Sequence, residues 1–327
     1  MTRVVMTSTR IPLAEEAARA FAGLDVRFET VDVRTADELV TATRDADAVI
    51  SLAEPFDADV IGRLGRCRSI TRFGIGVDSV DVAAATERGI WVTNIPDANH
   101  REVAVHALAL ALSVTRRLPV LDRAMHADGA APLALAAGTR RPDVQTFGIV
   151  GMGRIGRRVA ELAAAVGYRV LATDPVVPAE AIAAAGAEPV GFDELVRRSD
   201  VLSLHVPLTD STRHLVDAGV IDRMPRHAVL LNVSRGGLVD DTALAAAVRS
   251  GHLAGAGIDT HEGEPAPLAA GHPLLGLPNV VLTPHSAHYS VESFDEAKQK
   301  AVLDVARVLR GERPVYPVNE IGAVPSG

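Results

Sequence analysis

The feature that most constrains the fold is a glycine-rich turn, Gly151-Met-Gly-Arg-Ile-Gly156, between a strand-like segment and a helical one. Thr146–Val150 before it is an apolar run, and Ile155, Val159 and Leu162 after it share one helical face. In that context the first glycine permits a tight turn, the second lets a pyrophosphate approach the backbone, and the third lets helix and strand pack closely. The pattern predicts a βαβ unit that binds a dinucleotide at the helix N-terminus.

Asp174 bears on the choice of dinucleotide. It follows the strand-like run 169–172 and lies 18 residues after the last glycine of the turn. A carboxylate at this point can accept hydrogen bonds from a ribose 2′-hydroxyl and repels a 2′-phosphate. The following Pro175-Val-Val177 offers no arginine to bind such a phosphate. The sequence therefore predicts NAD(H) rather than NADP(H).

Strand-like and helical segments alternate along the chain, as they do in α/β proteins. The strand-like runs of the N-terminal part are 4–7, 48–52, 69–73 and 90–93. Those after the glycine-rich turn are 169–172, 201–205, 228–232, 255–259 and 280–283. Apolar residues predict a largely buried helix over 101–118 and a final helix over 291–309. The pattern predicts a small α/β domain followed by a regular α/β domain with a parallel sheet.

Composition and charge argue against several classes of partner. The 327 residues carry a formal charge of −8, which argues against a nucleic-acid groove or an anionic membrane surface. Cys67 is the one cysteine, so no intrachain disulfide can form and a reducing compartment fits. The start, Met1-Thr-Arg-Val-Val5, lacks the layout of a signal peptide. We expect a cytoplasmic protein without a transmembrane helix.

Three polar residues that follow three successive strand-like runs form the candidate catalytic set. Arg235, Glu264 and His285 come after the runs 228–232, 253–259 and 280–283. The carboxyl ends of parallel strands meet at one edge of the sheet, where ligands of such folds bind. Glu262 lies in the same loop as Glu264, and spacing alone does not choose between them.

These residue types suit hydride transfer to or from the carbon that bears an oxygen in a small anion. An arginine holds a carboxylate through two parallel hydrogen bonds and polarises the neighbouring carbonyl. A histidine donates a proton to the oxygen during reduction and accepts one during oxidation, and a nearby carboxylate favours its protonated form. A metal site on His285-Ser-Ala-His288, or on His261 and Glu264, lacks a full ligand set, so we expect no metal.

Seven segments together resemble the D-isomer-specific 2-hydroxyacid dehydrogenases, over essentially the full length of the chain. They are Arg72-Phe-Gly-Ile-Gly-Val-Asp78, Asn94-Ile-Pro96, 148–156, His205-Val-Pro-Leu208, Asn232-Val-Ser-Arg-Gly-Gly237, 259–265 and Thr283-Pro-His285. The first of them and His285-Ser-Ala-His-Tyr-Ser290 look most like the branch that contains the C-terminal-binding proteins and their bacterial enzyme relatives.

The resemblance implies both a fold and an activity. The fold is a doubly wound Rossmann NAD-binding domain, 99–287, inserted in a discontinuous flavodoxin-like substrate domain formed by 1–98 and 288–327. The activity is the NAD-dependent interconversion of a small 2-oxo acid and its D-2-hydroxy acid by a homodimer. The helix over 101–118 and the segment beyond it resemble the family's dimer interface.

The resemblance assigns catalysis to Arg235, Glu264 and His285. It favours Glu264 over Glu262, because the family's glutamate directly precedes a proline, here Pro265. It implies that Arg235 binds the carboxylate and carbonyl of the substrate, that His285 is the acid and base, and that Glu264 tunes the histidine.

The resemblance also implies binding residues. The backbone amides of Ile75 and Gly76, together with Arg235, would bind the substrate carboxylate, and His288 would lie near the substrate side chain. The implied cofactor-binding residues are Gly151, Gly153, Arg154, Ile155, Gly156, Asp174, His205, Val206, Pro207, Thr212, Val233, Ser234 and Asp259.

Other activities of the same family fit this sequence less well. Glu54 stands where a phosphorylated substrate would need an arginine, Ile75 where phosphite dehydrogenases have a lysine, and Glu264 where formate dehydrogenases have a glutamine. The sequence also stops at Gly327 without the regulatory domain of many phosphoglycerate dehydrogenases. The alternative of a different class is an NAD(H)-sensing corepressor-like interaction protein, which would retain the same three catalytic residues.

Overall fold

The computed structural model describes residues 1–264 and 266–322 and divides the chain into two compact units. The first unit is Met1–Asn99 with the segment from Ser290 onward, and the second is His100–Tyr289. The sequence predicted the boundaries after residue 98 and before residue 288. Pro265, which supported the choice of Glu264, and residues 323–327 of the predicted substrate domain lie outside the described residues.

The first unit is built on a five-stranded parallel sheet. Its strands are β1 (Thr2–Met6), β2 (Val26–Thr30), β3 (Ala48–Ser51), β4 (Ser69–Arg72) and β5 (Trp91–Thr93), in the spatial order β2-β1-β3-β4-β5. The helices between them are α1 (Ala14–Ala20), α2 (Ala36–Thr43), α3 (Ala58–Gly62) and α4 (Val82–Glu87). This order is the flavodoxin-like one, in which helices cover both faces of the sheet.

The second unit is built on a seven-stranded parallel sheet. Its helices are α5 (His100–Thr115), α6 (Leu118–Asp128), α7 (Arg154–Val166), α8 (Ala179–Ala184), α9 (Phe192–Arg198), α10 (Ala218–Arg223) and α11 (Asp241–Arg249). Its strands are β6 (Thr146–Val150), β7 (Arg169–Thr173), β8 (Glu188–Pro189), β9 (Val201–Leu204), β10 (Val229–Asn232), β11 (Gly255–Ile258) and β12 (Val280–Leu282). The spatial order β12-β11-β10-β9-β6-β7-β8 is doubly wound, which confirms the predicted fold class.

Helix α5 covers one face of the second sheet at short range because β11 carries glycines. A Cβ added at Gly257 would lie 2.8 Å from the Cβ of Leu110, and one at Gly255 would lie 2.8 Å from a methyl group of Val114. Side chains of α5 and α7 share one buried cluster with this face, and α9, α10 and α11 contribute to the cluster on the other face. The sheet is thus packed between two apolar layers, and loops lie at the carboxyl ends of its strands.

The predicted C-terminal end of the helix over 101–118 is wrong. Helix α5 stops at Thr115, and Arg117 adopts a left-handed backbone with φ of +57° before α6 begins at Leu118. No residue of α6 is buried within the unit. Among the described residues no single helix is long and apolar enough to cross a membrane, although the bent pair α5 and α6 passes that test by length and composition.

The last helix, α12 (Val291–Leu309), returns the chain to the first unit. Ser290 begins it, and its hydroxyl accepts a hydrogen bond from the amide of Ser293. Ala301, Val302 and Val305 of this helix are buried in a cluster that also contains side chains of β1 and β3. The first unit therefore needs the C-terminal segment to complete its core.

Candidate active site

The three candidate catalytic residues follow three adjacent strands of the second sheet. Arg235 comes three residues after the end of β10, Glu264 follows β11, and His285 follows β12. Strands β10, β11 and β12 are hydrogen-bonded neighbours, all parallel. The residues therefore lie at the same carboxyl edge of the sheet.

Glu264 and His285 form a hydrogen-bonded pair. The Nδ1 atom of His285 lies 2.7 Å from Oε2 of Glu264, and Oε1 accepts a hydrogen bond of 3.0 Å from the amide of His261. Burial opposes the charged form of Glu264, but the hydrogen bond and charge of His285 outweigh it and lower the pKa of the carboxyl below its usual value. The carboxylate fixes a proton on Nδ1, which leaves Nε2 of the half-exposed ring to exchange protons.

The rival carboxylate, Glu262, is engaged elsewhere. Its Oε1 accepts a hydrogen bond of 2.7 Å from Arg213, and its Oε2 lies 3.2 Å from Nε2 of His214. Spacing alone left Glu262 and Glu264 as alternatives, the family resemblance favoured Glu264, and the geometry pairs Glu264 with His285.

His285 has a strained backbone that Asp259 holds in place. Its φ of +51° lies in the left-handed region, which is costly for a residue with a Cβ. The amide of His285 donates to the carbonyl of Asp259, at 2.8 Å. The Asp259 carboxylate, only 1% exposed, accepts from the amides of Ser286 and Ala287 at 2.9 and 3.0 Å. One aspartate thus fixes the turn that presents the ring of this candidate catalytic residue.

Two residues outside the predicted set of site residues extend this network. The hydroxyl of Thr283 donates to Asp259 Oδ1 at 2.5 Å, and Nε2 of His106 lies 3.0 Å from the same hydroxyl. Because the hydroxyl has one proton and gives it to the carboxylate, His106 must donate to it through Nε2–H. His106 lies on α5, far from Thr283 in sequence. The signal that could have identified it is a histidine within a largely apolar helix.

Arg235 sits at the start of a short 3₁₀ turn. Its Nη1 donates to the carbonyl of Ser234 at 2.8 Å, and its own carbonyl accepts from the side-chain amide of Asn232 at 2.8 Å. Gly236, the residue after Arg235, lies against the main chain of a neighbouring loop. A Cβ there would lie 1.9 Å from the carbonyl carbon of His261, so the loop that carries Glu264 fills this space.

His288 lies beside the candidate base. The ring centroids of His285 and His288 are 5.8 Å apart, and the rings are nearly perpendicular at 81°. Edge-to-face contact of this kind is a favoured arrangement of aromatic rings. The structure thus places a second imidazole next to His285, while its predicted contact with the substrate side chain stays a prediction.

The glycine-rich turn fits a dinucleotide phosphate. A Cβ at Gly151 would lie 2.4 Å from the carbonyl oxygen of His205, and one at Gly156 would lie 1.9 Å from that of Gly151. A Cβ at Gly153 would meet nothing within 4 Å, so this side of the turn is open. Helix α7 begins at Gly153 without a side-chain cap, which leaves the amides of Arg154, Ile155 and Gly156 directed at that space.

Asp174 lies at the end of β7, where it supports the turn. Its carboxylate accepts hydrogen bonds from the amides of Met152, Val176 and Val177 at 2.7 to 2.8 Å. Burial raises the pKa of this carboxyl, but those hydrogen bonds and the charge of Arg157 lower it overall, so the group is negative at neutral pH. A cavity of about 240 Å³ adjoins it. The contact with a ribose hydroxyl stays a prediction.

The other predicted cofactor-binding residues line the loops after β9 and β10. Burial lowers the pKa of His205 to about 3, so the ring is neutral; its Nε2 lies 2.8 Å from Ser203 Oγ, and its buried Nδ1 has no partner among the described residues. A methyl group of Val206 lies close to Gly151. Thr212 donates through Oγ1 to the carbonyl of Pro207. After β10, Val233 is buried and Ser234 Oγ donates to the carbonyl of Leu204.

The predicted substrate-binding residues Ile75 and Gly76 belong to the first unit. They follow β4, and the carbonyl of Ile75 accepts a hydrogen bond of 2.6 Å from the side chain of Asn94. After β3, Oε2 of Glu54 accepts hydrogen bonds from the hydroxyls of Thr7 and Ser51 and from two loop amides. Glu54 is therefore a fixed carboxylate at the carboxyl edge of this sheet.

The described residues contain no group of three or more His, Cys, Asp or Glu side chains that could hold a metal ion. His261 Nε2 lies 3.9 Å from Glu264 Oε1, but that carboxylate is already bonded to the His261 amide.

Comparison with known proteins gives a family match for the second unit. Residues 108–287 match the family model for the NAD binding domain of the D-isomer specific 2-hydroxyacid dehydrogenases. The chain is 38% identical over 289 residues to a glyoxylate reductase of Korarchaeum cryptofilum, covering 86% of this chain and 85% of that protein. It is 37% identical over 313 residues to a D-3-phosphoglycerate dehydrogenase of Mycobacterium leprae. That alignment covers 95% of this chain but 58% of the relative, so the chain spans little more than half of that protein's length.

Solved structures agree over nearly the whole chain. The TT0316 protein of Thermus thermophilus has a TM-score of 0.85 at 35% identity, covering 97% of this chain and all of that one. The D-lactate dehydrogenase of Aquifex aeolicus, solved with NAD and lactic acid, has a TM-score of 0.85 at 27% identity, covering 98% and 100%. Fold, glycine-rich turn and full-length relatives agree, and the chain belongs to the D-isomer specific 2-hydroxyacid dehydrogenase family.

Proposed function

We propose that this chain is an NAD-dependent oxidoreductase that interconverts a small 2-oxo acid and its D-2-hydroxy acid. The observation that carries the proposal is the pair of Glu264 and His285, 2.7 Å apart, at the edge where Arg235 also lies. The pair provides an imidazole whose free nitrogen can exchange a proton with a substrate oxygen. The comparison with a glyoxylate reductase and a D-lactate dehydrogenase supports this class of substrate.

Each residue of the set has one task in the proposed reaction. In the reductive direction, Nε2 of His285 donates a proton to the substrate oxygen as charge develops on it. Glu264 remains ionised because its pKa is lowered, and it stabilises the protonated ring through Nδ1. Arg235 binds the substrate carboxylate and polarises the carbonyl. The histidine takes the proton back in the oxidative direction.

The cofactor we propose is NAD(H), which supplies the hydride chemistry when it is bound. The open turn at Gly153 and the uncapped amides of α7 would hold its pyrophosphate. The ionised Asp174 supports NAD(H) over NADP(H), since it would face a 2′-phosphate with a like charge.

An unphosphorylated substrate is the preferred class. Glu54 is fixed by four hydrogen bonds to one carboxylate oxygen, so this negative charge cannot easily turn away from its position after β3. The family resemblance implies that a phosphorylated substrate would need an arginine where Glu54 stands. We therefore expect glyoxylate or hydroxypyruvate to react better than a phosphorylated 2-oxo acid, although several relatives are named D-3-phosphoglycerate dehydrogenase.

The assembly we propose is a homodimer. Large apolar side chains are exposed along α5, α6 and the segment after them, with Leu133 87% exposed and Val105, Leu118 and Met125 more than half exposed. Exposed apolar surface of this extent is typical of an interface. A second copy of the chain is the partner that the family resemblance implies, and sedimentation would measure the association.

A cytoplasmic location completes the proposal. Cys67 is free and buried, and burial raises the pKa of its thiol to about 12, so it stays protonated. This supports a reducing compartment but does not require one. Fractionation of the producing cells would test it.

The test is the oxidation of NADH, followed at 340 nm, with glyoxylate, pyruvate, hydroxypyruvate and a phosphorylated 2-oxo acid. Turnover should fall at least about 100-fold in His285→Asn, because the proton donor is lost. Arg235→Ala should likewise lose turnover while it binds NADH normally. Arg197→Ala, an exposed arginine of the same unit, is the matched control. Tight NADH binding without turnover on any substrate would instead favour the NAD(H)-sensing interaction protein.

A further inference from the structure

A cavity of about 400 Å³ lies in the second unit, at the edge of the sheet opposite the candidate active site. Gln145, Asp200 and Ala254 line it, and each directly precedes a strand: β6, β9 and β11. The catalytic set follows strands of the same sheet. Since the strands have four or five residues, the two edges are roughly 15 Å apart. The cavity is therefore separate from the site described above, and nothing in the proposed reaction uses it.

The cavity has an excess of positive charge. Arg117, Arg140 and Arg226 line it, together with the single carboxylate of Asp200. Asp200 is fully engaged, because its Oδ1 accepts from Arg140 at 2.7 Å and its Oδ2 from the amide of Thr146 at 2.8 Å. Within residues 1–264 and 266–322, neither Arg117 nor Arg226 has a carboxylate partner. Two arginine charges are thus left for a ligand.

Three polar atoms of the lining are buried without any hydrogen-bond partner in the described chain. They are Nε of Arg117, Oγ1 of Thr139 and Oε1 of Gln145. Gln145 is 8% exposed, so its carbonyl oxygen cannot be satisfied by bulk water. Buried polar groups without partners are rare in folded proteins, and each costs free energy unless something binds it. The unpaired donor on Arg117 needs an acceptor, and the unpaired oxygen of Gln145 needs a donor.

Two residues that line the cavity also have an unfavourable backbone conformation. Four described residues other than glycine have a left-handed backbone, and two of them, Arg117 and His227, line this cavity. A third is His285 of the candidate active site. Strain of this kind persists where the surrounding structure fixes it, and it clusters at ligand sites.

We propose that this cavity binds a small oxyanion that also carries a hydroxyl group. The arginines bind the anionic oxygens, and the hydroxyl donates to Gln145 Oε1. Hydrogen phosphate and hydroxycarboxylates both have this chemistry, and both are small enough to enter a cavity of about 400 Å³. Fully deprotonated anions of similar shape lack the donor and leave Gln145 unpaired. This inference is independent of the proposed reaction and stands or falls without it.

The test compares matched anions on the full-length protein by thermal shift and calorimetry. Inorganic phosphate is compared with sulfate, and citrate with tricarballylate, which lacks the hydroxyl, all at equal ionic strength. Saturating NADH occupies the proposed cofactor site, and the Arg235→Ala substitution removes the arginine of the proposed substrate site. Neither site then contributes to the measured anion binding. We expect phosphate or citrate to bind saturably and at least about tenfold more tightly than its partner without the hydroxyl. Equal shifts by all four anions would overturn the proposal.

Two variants locate the binding in this cavity. Gln145→Leu should abolish the preference for the hydroxyl-bearing anion and keep its fold, because it replaces an unpaired buried acceptor by an apolar group of similar size. Arg226→Ala, at an exposed residue, should weaken binding of either anion about tenfold. Arg197→Ala carries the same charge change outside the cavity and should bind like the parent. Parental affinity in both Gln145→Leu and Arg226→Ala would refute the assignment.

Discussion

Gly236 lies directly against the main chain of His261. A Cβ at residue 236 would come within 1.9 Å of the carbonyl carbon of His261 and within 2.2 Å of the amide nitrogen of Glu262. The amide of His261 in turn donates to Glu264, so this contact sets the position of the carboxylate that faces His285. The glycine beside Arg235 therefore connects two members of the catalytic set.

Gly236→Ala should impair catalysis more than cofactor binding. The new methyl group would meet backbone rather than a flexible side chain, so the loop of 261–264 must move. A displacement near 1 Å at a catalytic group can cost about 100-fold in rate. We expect kcat to fall by that order while NADH affinity stays within a few-fold. Gly237→Ala is the control, because its Cβ would meet the ends of Leu208 and Arg213 at 3.0 Å or more. Equal losses in both variants would contradict this reading.

Glu264→Gln should shift the pH dependence of reduction. The amide can still accept a hydrogen bond from His285, but it no longer carries the charge that favours the protonated ring. The reductive rate should therefore begin to fall at a lower pH than in the parent. The rate of the oxidative reaction should rise at correspondingly lower pH.

Glu262→Gln supplies the matched control for that shift. Its carboxylate pairs with Arg213 and His214 at a largely exposed position. We expect its pH–rate profile to overlay that of the parent. A shift in Glu262→Gln, or none in Glu264→Gln, would transfer the tuning role away from Glu264.

Asp174→Asn should relax the preference for NAD(H). An asparagine keeps the one acceptor oxygen that the amides of Val176 and Val177 use, loses the oxygen that Met152 uses, and removes the charge that repels a 2′-phosphate. We expect the ratio of kcat/KM for NADPH over NADH to rise about 100-fold. Asp193→Asn, an exposed carboxylate of the same unit, should leave the ratio unchanged.

The depressed pKa of His205, about 3 in the folded chain against an ordinary value of 6.5, predicts an acid-sensitive fold. Between these values the unfolded chain binds a proton that the folded chain does not, so the free energy of unfolding falls as the pH falls below about 6.5. The loss from this group approaches about 1.4 kcal/mol per pH unit. His205→Gln should flatten the dependence of Tm on pH between 6.5 and 4.5. His126→Gln, at an exposed histidine, should not.

Helices and strands were predictable where the local sequence pattern itself determines the structure. The turn of 151–156 lies between a buried strand and an amphipathic helix, and both formed as predicted. Strand β2 (Val26–Thr30) was not predicted, because this edge strand has no buried residue and its pairing partner, β1, is distant in sequence. The break at Arg117 was missed although Pro119 marks it, since this proline lacks the amide that would continue α5 by bonding to Thr115.

The candidate site was predictable in its residue types from the strand ends, whereas the pairing of Glu264 with His285 was predicted only through the family resemblance and not from spacing. Strand ends located Arg235, Glu264 and His285, since parallel topology alone brings strand ends to one edge. The choice between Glu262 and Glu264 depends on the course of a loop, which two residues of spacing cannot reveal. His106 reaches Thr283 only through the packing of α5 on β11 and β12, and no local pattern encodes that approach.

The split of the first unit has a consequence for synthesis on the ribosome. Residues 1–99 emerge first, but α12, which closes their apolar cluster, follows the 190 residues from His100 to Tyr289. At about 5–20 residues per second, the N-terminal segment waits roughly 10–40 s with part of its apolar surface uncovered. The inserted unit, continuous in sequence, can complete its own core within that interval. The five-stranded sheet of 1–99, complete but not yet covered by α12, is therefore the part of the nascent chain that a chaperone has most reason to bind.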